Sequence, residues 1–275
     1  MTGTDIVIVW IQADEHAAHD LKYALRSLEQ HWIGNFRVTI VGDKPPGLQR
    51  FYHLPHKRMA ASEHPKALDA VRKLEAIVAA PHIQQRFVYA YDDTYLLRPV
   101  DELYLAKRRA VREVPDTWTV GDAGKVHKVA LFNTVQCLRD HGFKRIWDYE
   151  THMPRVFEKR KLQEVMDLYK PAERRLLVPT LYFNHHYRHQ EPELLSPLDD
   201  CKVVFYGRHS KDSVPPAPTT DSAAAIAYYA KHCVGKHLWN HNNNGMRDVN
   251  LQYLRHSIWP DVSAFEIPAT QPTTT

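Results

Sequence analysis

Residues 1–97 alternate short apolar runs with longer amphipathic stretches, and this alternation restricts the possible folds more than any other feature of the sequence. The apolar runs, rich in β-branched residues, occupy 5–12, 36–43 and 87–91, and each has the length and composition of a strand. The two stretches between them repeat apolar residues at helical spacing. Strand, helix, strand, helix, strand with continuously apolar strands predicts an α/β fold whose sheet is mostly parallel and flanked by helices.

The two helical stretches have recognisable boundaries. The first ends before Gly34, and its apolar face consists of Leu21, Ala24, Leu25, Leu28 and Trp32. The second has Pro65 in its first turn, with Ser62 as the predicted cap, and it ends before Pro81. Residues 48–62, which precede the second helix, are predicted to be a loop.

The rest of the chain is predicted to be less regular, with an irregular helical C-terminal part. We expect a helix after Pro99 capped by Asp101, and another that begins near Pro154 after a loop. Residues 174–189 have a strand-like composition that becomes histidine-rich, and 201–207 resemble a short strand.

Composition shifts divide the chain into four parts. The main α/β domain covers 1–212, and the proline-rich stretch 213–222 is the best candidate for a connection. Residues 223–268 are expected to pack on the main domain, and the tail 269–275 to be disordered.

Several classes of protein are disfavoured by what the sequence lacks. No window approaches about 18 uninterrupted apolar residues, so no membrane span is predicted. The three cysteines are scattered, which predicts neither a disulfide framework nor a zinc knuckle and favours a cytoplasmic setting. No P-loop, G-x-G-x-x-G or G-x-S-x-G motif occurs, which argues against P-loop kinases, Rossmann dehydrogenases and serine hydrolases.

The chain is mildly basic, with a formal net charge of +4 and 18 histidines not counted in it. This balance permits anionic ligands, such as nucleotides, phosphates or DNA, without requiring them. Basic clusters occur at 107–109, 159–161 and 173–175. Such clusters are more typical of solvated faces than of nucleic-acid contacts, and both interpretations stay open.

Two adjacent acids, Asp92 and Asp93, directly follow the apolar run 87–91. Ligands of parallel α/β sheets bind at the carboxyl ends of the strands. Adjacent carboxylates repel one another there unless a proton or a cation compensates, and oxygen ligands suit Mg²⁺ or Mn²⁺. A capping role would leave the second acid unexplained, since another apolar run follows instead of a helix. The pair therefore predicts a divalent-metal site.

Four blocks carry a family resemblance: YALRSLEQHW, VTIVGDKP, HPKALDAVRKLEAI and RFVYAYDDTYLLRPV. They resemble the nucleotide-sugar-dependent glycosyltransferases of the GT-A fold, and more narrowly the Stealth-type capsular polysaccharide phosphotransferases and related phage and bacterial glycosyltransferases. KHLWNHNNNGM and LRHSIWPDVSAFE near the end are similar to the ending of the same group. Two positions depart from the family pattern: Tyr91 replaces an asparagine, and the run Asn242 to Asn244 replaces an asparagine-aspartate pair. The resemblance implies a GT-A-like catalytic domain in 1–212.

The resemblance also implies a role for the acid pair. Asp92 and Asp93 would hold Mn²⁺ or Mg²⁺, which would neutralise the departing nucleotide diphosphate as a Lewis acid. A late histidine often completes such sites. His152 in THMPRVF fits the family pattern best, with His185 or His186 as alternatives.

Donor contacts are expected at the ends of the first strands and on the two helices. The predicted residues are Gln12, Asp14, Arg26, Asp43, Lys66 and Lys73. Two of these have alternatives: Arg26 could instead form an ion pair with Asp43, and Lys73 could lie on a solvated helix face in an ion pair with Asp69. The candidate general bases are Asp122, Asp148 and Glu150.

The predicted function is the transfer of a sugar from a nucleotide-sugar, such as a UDP-sugar, to a hydroxyl acceptor. The acceptor would be a surface polysaccharide or a hydroxymethylated base of phage DNA. Stealth-like transfer of a sugar 1-phosphate is the mechanistic alternative. A non-catalytic module that binds nucleotide-sugars or polysaccharide is the alternative from another class.

Overall fold

The computed structural model describes residues 3–11, 17–58, 65–119, 126–195, 203–205, 213–241 and 243–267. The strands in these ranges are β1 (Thr4–Trp10), β2 (Phe36–Gly42), β3 (Tyr52–Pro55), β4 (Arg86–Tyr91), β5 (Thr94–Leu96), β6 (Arg109–Ala110), β7 (Arg112–Glu113), β8 (Trp147–Asp148), β9 (Arg155–Glu158), β10 (Glu193–Leu194), β11 (Val203–Phe205) and β12 (Leu238–His241). The helices are α1 (Ala17–His31), α2 (Pro65–Ala79), α3 (Glu102–Ala106), α4 (Val126–Asp140), α5 (Lys159–Tyr169), α6 (Pro171–Arg174), α7 (Val178–His186), α8 (Ser222–Cys233), α9 (Asn243–Arg247) and α10 (Val249–Ile258).

A five-stranded, mostly parallel sheet with helices on both faces forms the centre of the fold, which confirms the predicted α/β class. Its strand order is β3-β2-β1-β4-β9; the first four strands are parallel and β9 runs antiparallel to β4. β1 pairs with β2 on one side and with β4 on the other, so the connections run in opposite directions from β1. The carboxyl ends of β1 and β4 therefore meet at a topological switch point, with Val9 opposite Tyr91.

The two faces of the sheet bury separate sets of side chains, because successive residues of a strand point in opposite directions. Val7 packs in a cluster with residues of α2, α4, α5 and α7. Its neighbours Ile6 and Ile8 pack in a second cluster with α1. The apolar faces predicted for α1 and α2 are therefore both buried against the sheet.

A second, smaller sheet continues from the first. Its order is β11-β12-β5, and β12 runs antiparallel to β5. A third apolar cluster lies beside it and includes residues of α1, α8 and α10. Only Asp92 and Asp93 separate β4 from β5, so this pair joins the two sheets. The division of the chain at 213–222 stays a prediction.

Gly42 permits a close approach at the carboxyl edge of the central sheet. Its φ is +131°, and a Cβ there would lie 1.9 Å from the carbonyl oxygen of Trp10. The end of β2 can therefore lie against the end of β1 only with glycine at this position.

Three predicted elements differ from the structure. The predicted loop 48–62 contains β3, whose short and partly exposed edge position gives little hydrophobic signal. The predicted strand in 174–189 is wrong: most of this stretch forms α7, which has Pro179 in its first turn, and Arg174 is the last residue of α6. Six residues of α7 are buried, so it lacks the polar stripe by which a helix is recognised.

The third difference concerns the predicted helix near Pro154. This proline precedes β9, a buried strand, and the helix α5 begins only at Lys159. After Pro99 the predicted helix is present but short, and Asp101 caps it by accepting a hydrogen bond from the backbone N–H of Tyr104 at 2.7 Å.

Within the described residues, no helix has both the length and the apolar character required to cross a membrane. The predicted cap Ser62 and the tail 269–275 lie outside the described residues.

Candidate active site

Asp92 and Asp93 lie at the carboxyl end of β4, on the edge of the sheet where β1 and β4 meet. Both side chains are partly exposed to solvent. The predicted position of the pair at a strand end is therefore confirmed, although Oδ1 of Asp93 is itself buried.

The electrostatic environment of Asp92 disfavours its ionised form. Burial raises the pKa of Asp92 well above its ordinary value, and repulsion from Asp93 and Asp20 raises it further. Lys73 offsets only part of this increase. A carboxyl held in this state gains from any cation that approaches it.

Asp20, in the first turn of α1, supplies a third carboxylate to this edge. It is buried, forms an ion pair with Arg255, and lies 3.5 Å from Nε2 of His241. Burial alone would raise the pKa of Asp20, but His241 and Arg255 outweigh that effect and lower it. Asp20 is therefore ionised beside Asp92, although no recognisable motif marks it in the sequence.

Asp20 belongs to a buried polar cluster that joins four elements. The hydroxyl of Tyr95 lies 2.9 Å from Nε2 of His241, and Arg255 donates to that hydroxyl at 3.0 Å. These residues come from α1, β5, β12 and α10. Because they are far apart in sequence, periodicity and spacing did not predict that they meet.

Lys73 is held by an ion pair within α2. Its Nζ lies 3.0 Å from Oδ2 of Asp69, while Oδ1 of Asp69 lies 3.0 Å from Nε2 of His56. The predicted alternative of an ion pair between Lys73 and Asp69 is confirmed. The prediction that these residues lie on a solvated face of the helix is wrong, because both side chains are buried.

His152 lies next to the acid pair. Its ring centroid is 5.3 Å from that of Tyr91, and its carbonyl accepts a hydrogen bond from Oγ1 of Thr94 at 3.2 Å. Within the described part of the chain, however, the one group of three possible ligands whose ligand atoms all lie within 4.8 Å of one another is Glu164, His185 and His186. His152 is thus adjacent to Asp92 and Asp93, but the three do not form a closed ligand set.

Glu150 lines a small, mostly apolar pocket near Tyr91. The other lining residues are Ala67, Ala70, Val71, Leu74, Tyr89, Tyr91, Leu176, Leu177, Val178 and Pro179. Burial raises the pKa of Glu150, although the hydroxyl of Thr180, which donates to Oε1 at 2.8 Å, partly opposes the increase. An acid with a raised pKa in a mostly apolar pocket is suited to proton transfer.

Asp148 is buried behind Glu150. It accepts a hydrogen bond from the backbone N–H of Glu150 at 3.0 Å, and its Oδ2 lies 3.7 Å from Nε of Arg112. Burial raises its pKa. These contacts suit a residue that positions Glu150.

Arg26 contacts the C-terminal segment. It forms two hydrogen bonds with the carboxylate of Glu266, at 2.6 and 2.9 Å, and donates to the carbonyl of Trp259 at 2.8 Å. The predicted alternative of an ion pair with Asp43 is therefore wrong, because Glu266 is the partner. A phosphate would have to displace Glu266, so donor binding by Arg26 stays a prediction without geometric support.

The remaining predicted residues are only partly described. Asp43 follows β2 and lies half-buried at the same edge of the sheet as Asp92. Gln12, Asp14, Asp122 and the side chain of Lys66 lie outside the described residues.

A divalent cation fits the acid pair on electrostatic grounds. The carboxyl groups of Asp93 and Asp20 both raise the pKa of Asp92 at the switch point, and the positive charge of Lys73 compensates only in part. Two partly exposed carboxylates are sufficient for a metal whose other ligands are phosphate oxygens and water.

Comparison with known proteins gives little further information. No family model matches the chain, and no curated protein matches it. Among solved structures it is similar to the crystal structure of the glycosyltransferase GlyE in Streptococcus pneumoniae TIGR4, with 11% sequence identity and a TM-score of 0.37. The likeness covers 72% of this chain and 46% of that one, so this chain spans less than half of that protein. A likeness this weak does not identify a function.

Proposed function

We propose that this protein is a metal-dependent glycosyltransferase that moves a sugar from a nucleotide-sugar to a hydroxyl acceptor. The observation that carries the proposal is the position of Asp92 and Asp93 at the switch point between β1 and β4, where the pKa of Asp92 is raised by burial and by neighbouring carboxylates. Energetically unfavourable charge at the ligand-binding edge of a sheet is characteristic of active sites rather than of structural positions.

Asp92 and Asp93 would hold Mn²⁺ or Mg²⁺ together with the diphosphate of the donor. The bound cation would neutralise the charge that develops on the leaving diphosphate. Asp20, kept ionised by Arg255 and His241, adds negative charge that strengthens the attraction for a cation at this edge. His152 lies beside the turn as a candidate additional ligand.

The donor would extend from the acid pair along the carboxyl ends of β1 and β2. Asp43 would accept hydrogen bonds from a ribose or a base, as acids at strand ends do in nucleotide-binding sheets. Gln12, Asp14 and Lys66 stay predictions for the same pocket. Lys73 contributes positive charge near the diphosphate while its ammonium group is held by Asp69.

Glu150 is the general base of this proposal. It would take the proton from the acceptor hydroxyl as that oxygen attacks the anomeric carbon and the nucleoside diphosphate leaves. Its raised pKa makes it a stronger base than an exposed glutamate, and the apolar walls of its pocket limit access of water. Asp148 acts as a positioning residue, and Asp122 stays an untested candidate.

The contacts of the basic clusters favour a glycan over DNA as the acceptor. Lys159 is buried and donates to the carbonyl oxygen of Ala80, while Lys161 lies 2.7 Å from Oε1 of Glu158. Arg109 lies 3.6 Å from Oε2 of Glu193. Because these cations have acceptors within the protein, they supply little charge for binding phosphates of nucleic acid. We therefore propose a hydroxyl of a surface polysaccharide, in preference to a hydroxymethylated base of DNA, as the acceptor.

A donor-binding and hydrolysis assay tests the proposal. Nucleotide-sugars, beginning with UDP-sugars, are screened by thermal shift with and without Mn²⁺, and each donor that binds is then assayed for hydrolysis. We expect a donor that raises the Tm only with Mn²⁺, and no such shift in Asp92→Asn/Asp93→Asn. Unchanged binding and hydrolysis by that double variant would refute the proposal.

A mass measurement on the acceptor, added to this assay, separates the alternatives. Acceptor mass increases by a sugar for glycosyl transfer and by a sugar phosphate for Stealth-like transfer, in which the leaving group is the nucleoside monophosphate. A binding module would give a thermal shift without any slow hydrolysis of the donor when Mn²⁺ is present.

A further inference from the structure

Glu164, His185 and His186 form a compact cluster where α5 packs against α7. Glu164 lies within α5, and the two histidines are the last residues of α7. One possible ligand atom from each residue lies within 4.8 Å of the other two, and Nε2 of His185 is 3.2 Å from Oε1 of Glu164. Glu164 is exposed and both histidines are partly exposed, so an ion from solvent can reach them.

Both histidine rings are oriented by hydrogen bonds outside this cluster. Nε2 of His186 lies 2.9 Å from the carbonyl oxygen of Lys161, which can only accept, so Nε2 carries the hydrogen and Nδ1 keeps a lone pair. Nδ1 of His185 lies 2.9 Å from the hydroxyl of Tyr169. If this Nδ1–H donates to Tyr169, the lone pair of Nε2 is directed toward Glu164. Metal-binding histidines typically have such an outer hydrogen bond, which fixes the tautomer and the ring.

We infer that Glu164, His185 and His186 form a site for a divalent transition metal, with Zn²⁺ as the ion it suits best. Imidazole nitrogens favour zinc, nickel and copper over magnesium and manganese, which prefer oxygen. Two histidines and one glutamate leave a fourth position of a tetrahedral site for water. Glu164 is exposed, and its carboxylate would have to turn toward both rings for the present separations to shorten to those of a coordinated ion.

This site is chemically distinct from the acid pair of the proposed glycosyltransferase. Asp92 and Asp93 offer oxygen alone, whereas this cluster offers nitrogen and oxygen on helices that do not carry the pair. A bound ion would link α5 to the C-terminal end of α7. Since α7 also carries Thr180, which donates to Glu150, the ion would stabilise the helix that orients the proposed general base.

Metal titration of the full-length, tag-free protein tests this inference. Zn²⁺ is titrated against a chromophoric chelator in excess Mg²⁺, and Co²⁺ absorption reports the coordination geometry. We expect one equivalent to bind, with a tetrahedral cobalt spectrum. Glu164→Gln and His186→Asn should each weaken binding by at least about tenfold, and Tyr169→Phe should weaken it to a smaller extent.

His189→Asn is the matched control, since His189 is an exposed histidine just beyond α7 that is not part of the cluster. It should bind Zn²⁺ as the wild-type protein does. Glu164 is on the surface, so Glu164→Gln should fold normally, which its metal-free Tm verifies. Zn²⁺ binding that is absent from the wild-type protein, or equal in Glu164→Gln, His186→Asn and His189→Asn, would overturn the inference. Because no step of this test measures sugar transfer, its failure would leave the proposed function unaffected.

Discussion

Two carboxyl groups of this chain illustrate how position determines the stability of a charge. Glu266 accepts hydrogen bonds from Arg26 and from the backbone of Ser263, and these contacts outweigh its burial and lower its pKa. Asp92 lies among Asp93 and Asp20, and burial together with their repulsion raises its pKa. The first charge stabilises the folded chain, whereas the second is tolerated at a cost to stability.

Replacing Asp92 with asparagine should therefore stabilise the protein while it abolishes activity. In the absence of metal and donor, we expect Asp92→Asn to increase the free energy of unfolding at pH 7 by on the order of 1 kcal/mol, the usual size of a single-substitution effect. Chemical denaturation measures the change. Asp116→Asn, at an exposed aspartate, should change it by less than about 0.5 kcal/mol. A clear loss of stability in Asp92→Asn would contradict this account.

The same substitution should change how stability depends on pH. Because the pKa of Asp92 is higher in the folded state than in the unfolded state, the folded state binds the proton more tightly. The stabilisation that the folded state gains from binding this proton is therefore complete below about pH 4, the ordinary pKa of aspartate. It is lost as pH rises through the raised pKa of the folded state. The advantage of Asp92→Asn over wild type should accordingly grow with pH above about 4. An advantage that shrinks with rising pH would have the wrong sign.

Glu150 should determine the acid limb of the pH–rate profile. A general base acts when deprotonated, so activity should rise through its raised pKa, and Glu150→Gln should lower kcat by about 10² to 10⁴. Thr180→Val removes the hydrogen bond that lowers this pKa and should shift the limb to higher pH. Glu75→Gln, at a partly exposed residue of α2, serves as the control. A limb at the same pH in Thr180→Val and wild type would exclude Glu150 as the base.

At the scale of elements, α1 is tied to the C-terminal segment by the contacts of Arg26. The pair with Glu266 is largely buried, with side-chain exposures of 6% and 10%. Arg26→Met should destabilise the protein by about 3 kcal/mol, because it leaves Glu266 buried without its partner. Limited proteolysis should show earlier cleavage after residue 259. Arg26→Met/Glu266→Met should recover most of the loss, and Arg72→Met, at an exposed pair, should cost no more than about 0.5 kcal/mol. Equal stability of Arg26→Met and wild type would contradict the role of the pair.

The elements that could be predicted from sequence are those with one buried side or with uninterrupted apolar strands. α1 and α2 bury a single stripe, and β1, β2 and β4 lie inside the central sheet, so their patterns are clear. β3 and α7 lack a contrast between a buried side and an exposed side, for opposite reasons. The edge strand β3 is partly or fully exposed at every residue, whereas α7 is buried around most of its circumference. Periodicity reports a difference between two sides of an element, and neither element has one.

The candidate site was predictable only where its residues are neighbours in the chain. Asp92 and Asp93 are adjacent, and the strand before them indicated the edge they occupy. Asp20, Arg255 and His241 meet through α1, α10 and β12, which requires the tertiary fold. The strand and helix pattern of 1–97 therefore located the edge, but it did not reveal what surrounds the acid pair.

At the scale of the whole molecule, the two sheets should unfold together. The antiparallel pairing of β5 with β12, the pair of Asp20 with Arg255, and that of Arg26 with Glu266 all join the N-terminal part to residues beyond 237. We expect one calorimetric transition with equal calorimetric and van't Hoff enthalpies. Two resolved transitions, with the C-terminal segment melting first, would show that these contacts do not couple the sheets.

The junction between β4 and β5 also limits how the chain can vary over evolution. Strands of two different sheets meet across only two residues there, and both residues are the acids of the proposed site. An insertion or a deletion would shift the register of β5 against β12 and carry the carboxylates away from the edge. Descendants of this chain could lengthen many surface loops. At the turn between β4 and β5, however, the number of residues and their acidic character would have to be inherited together.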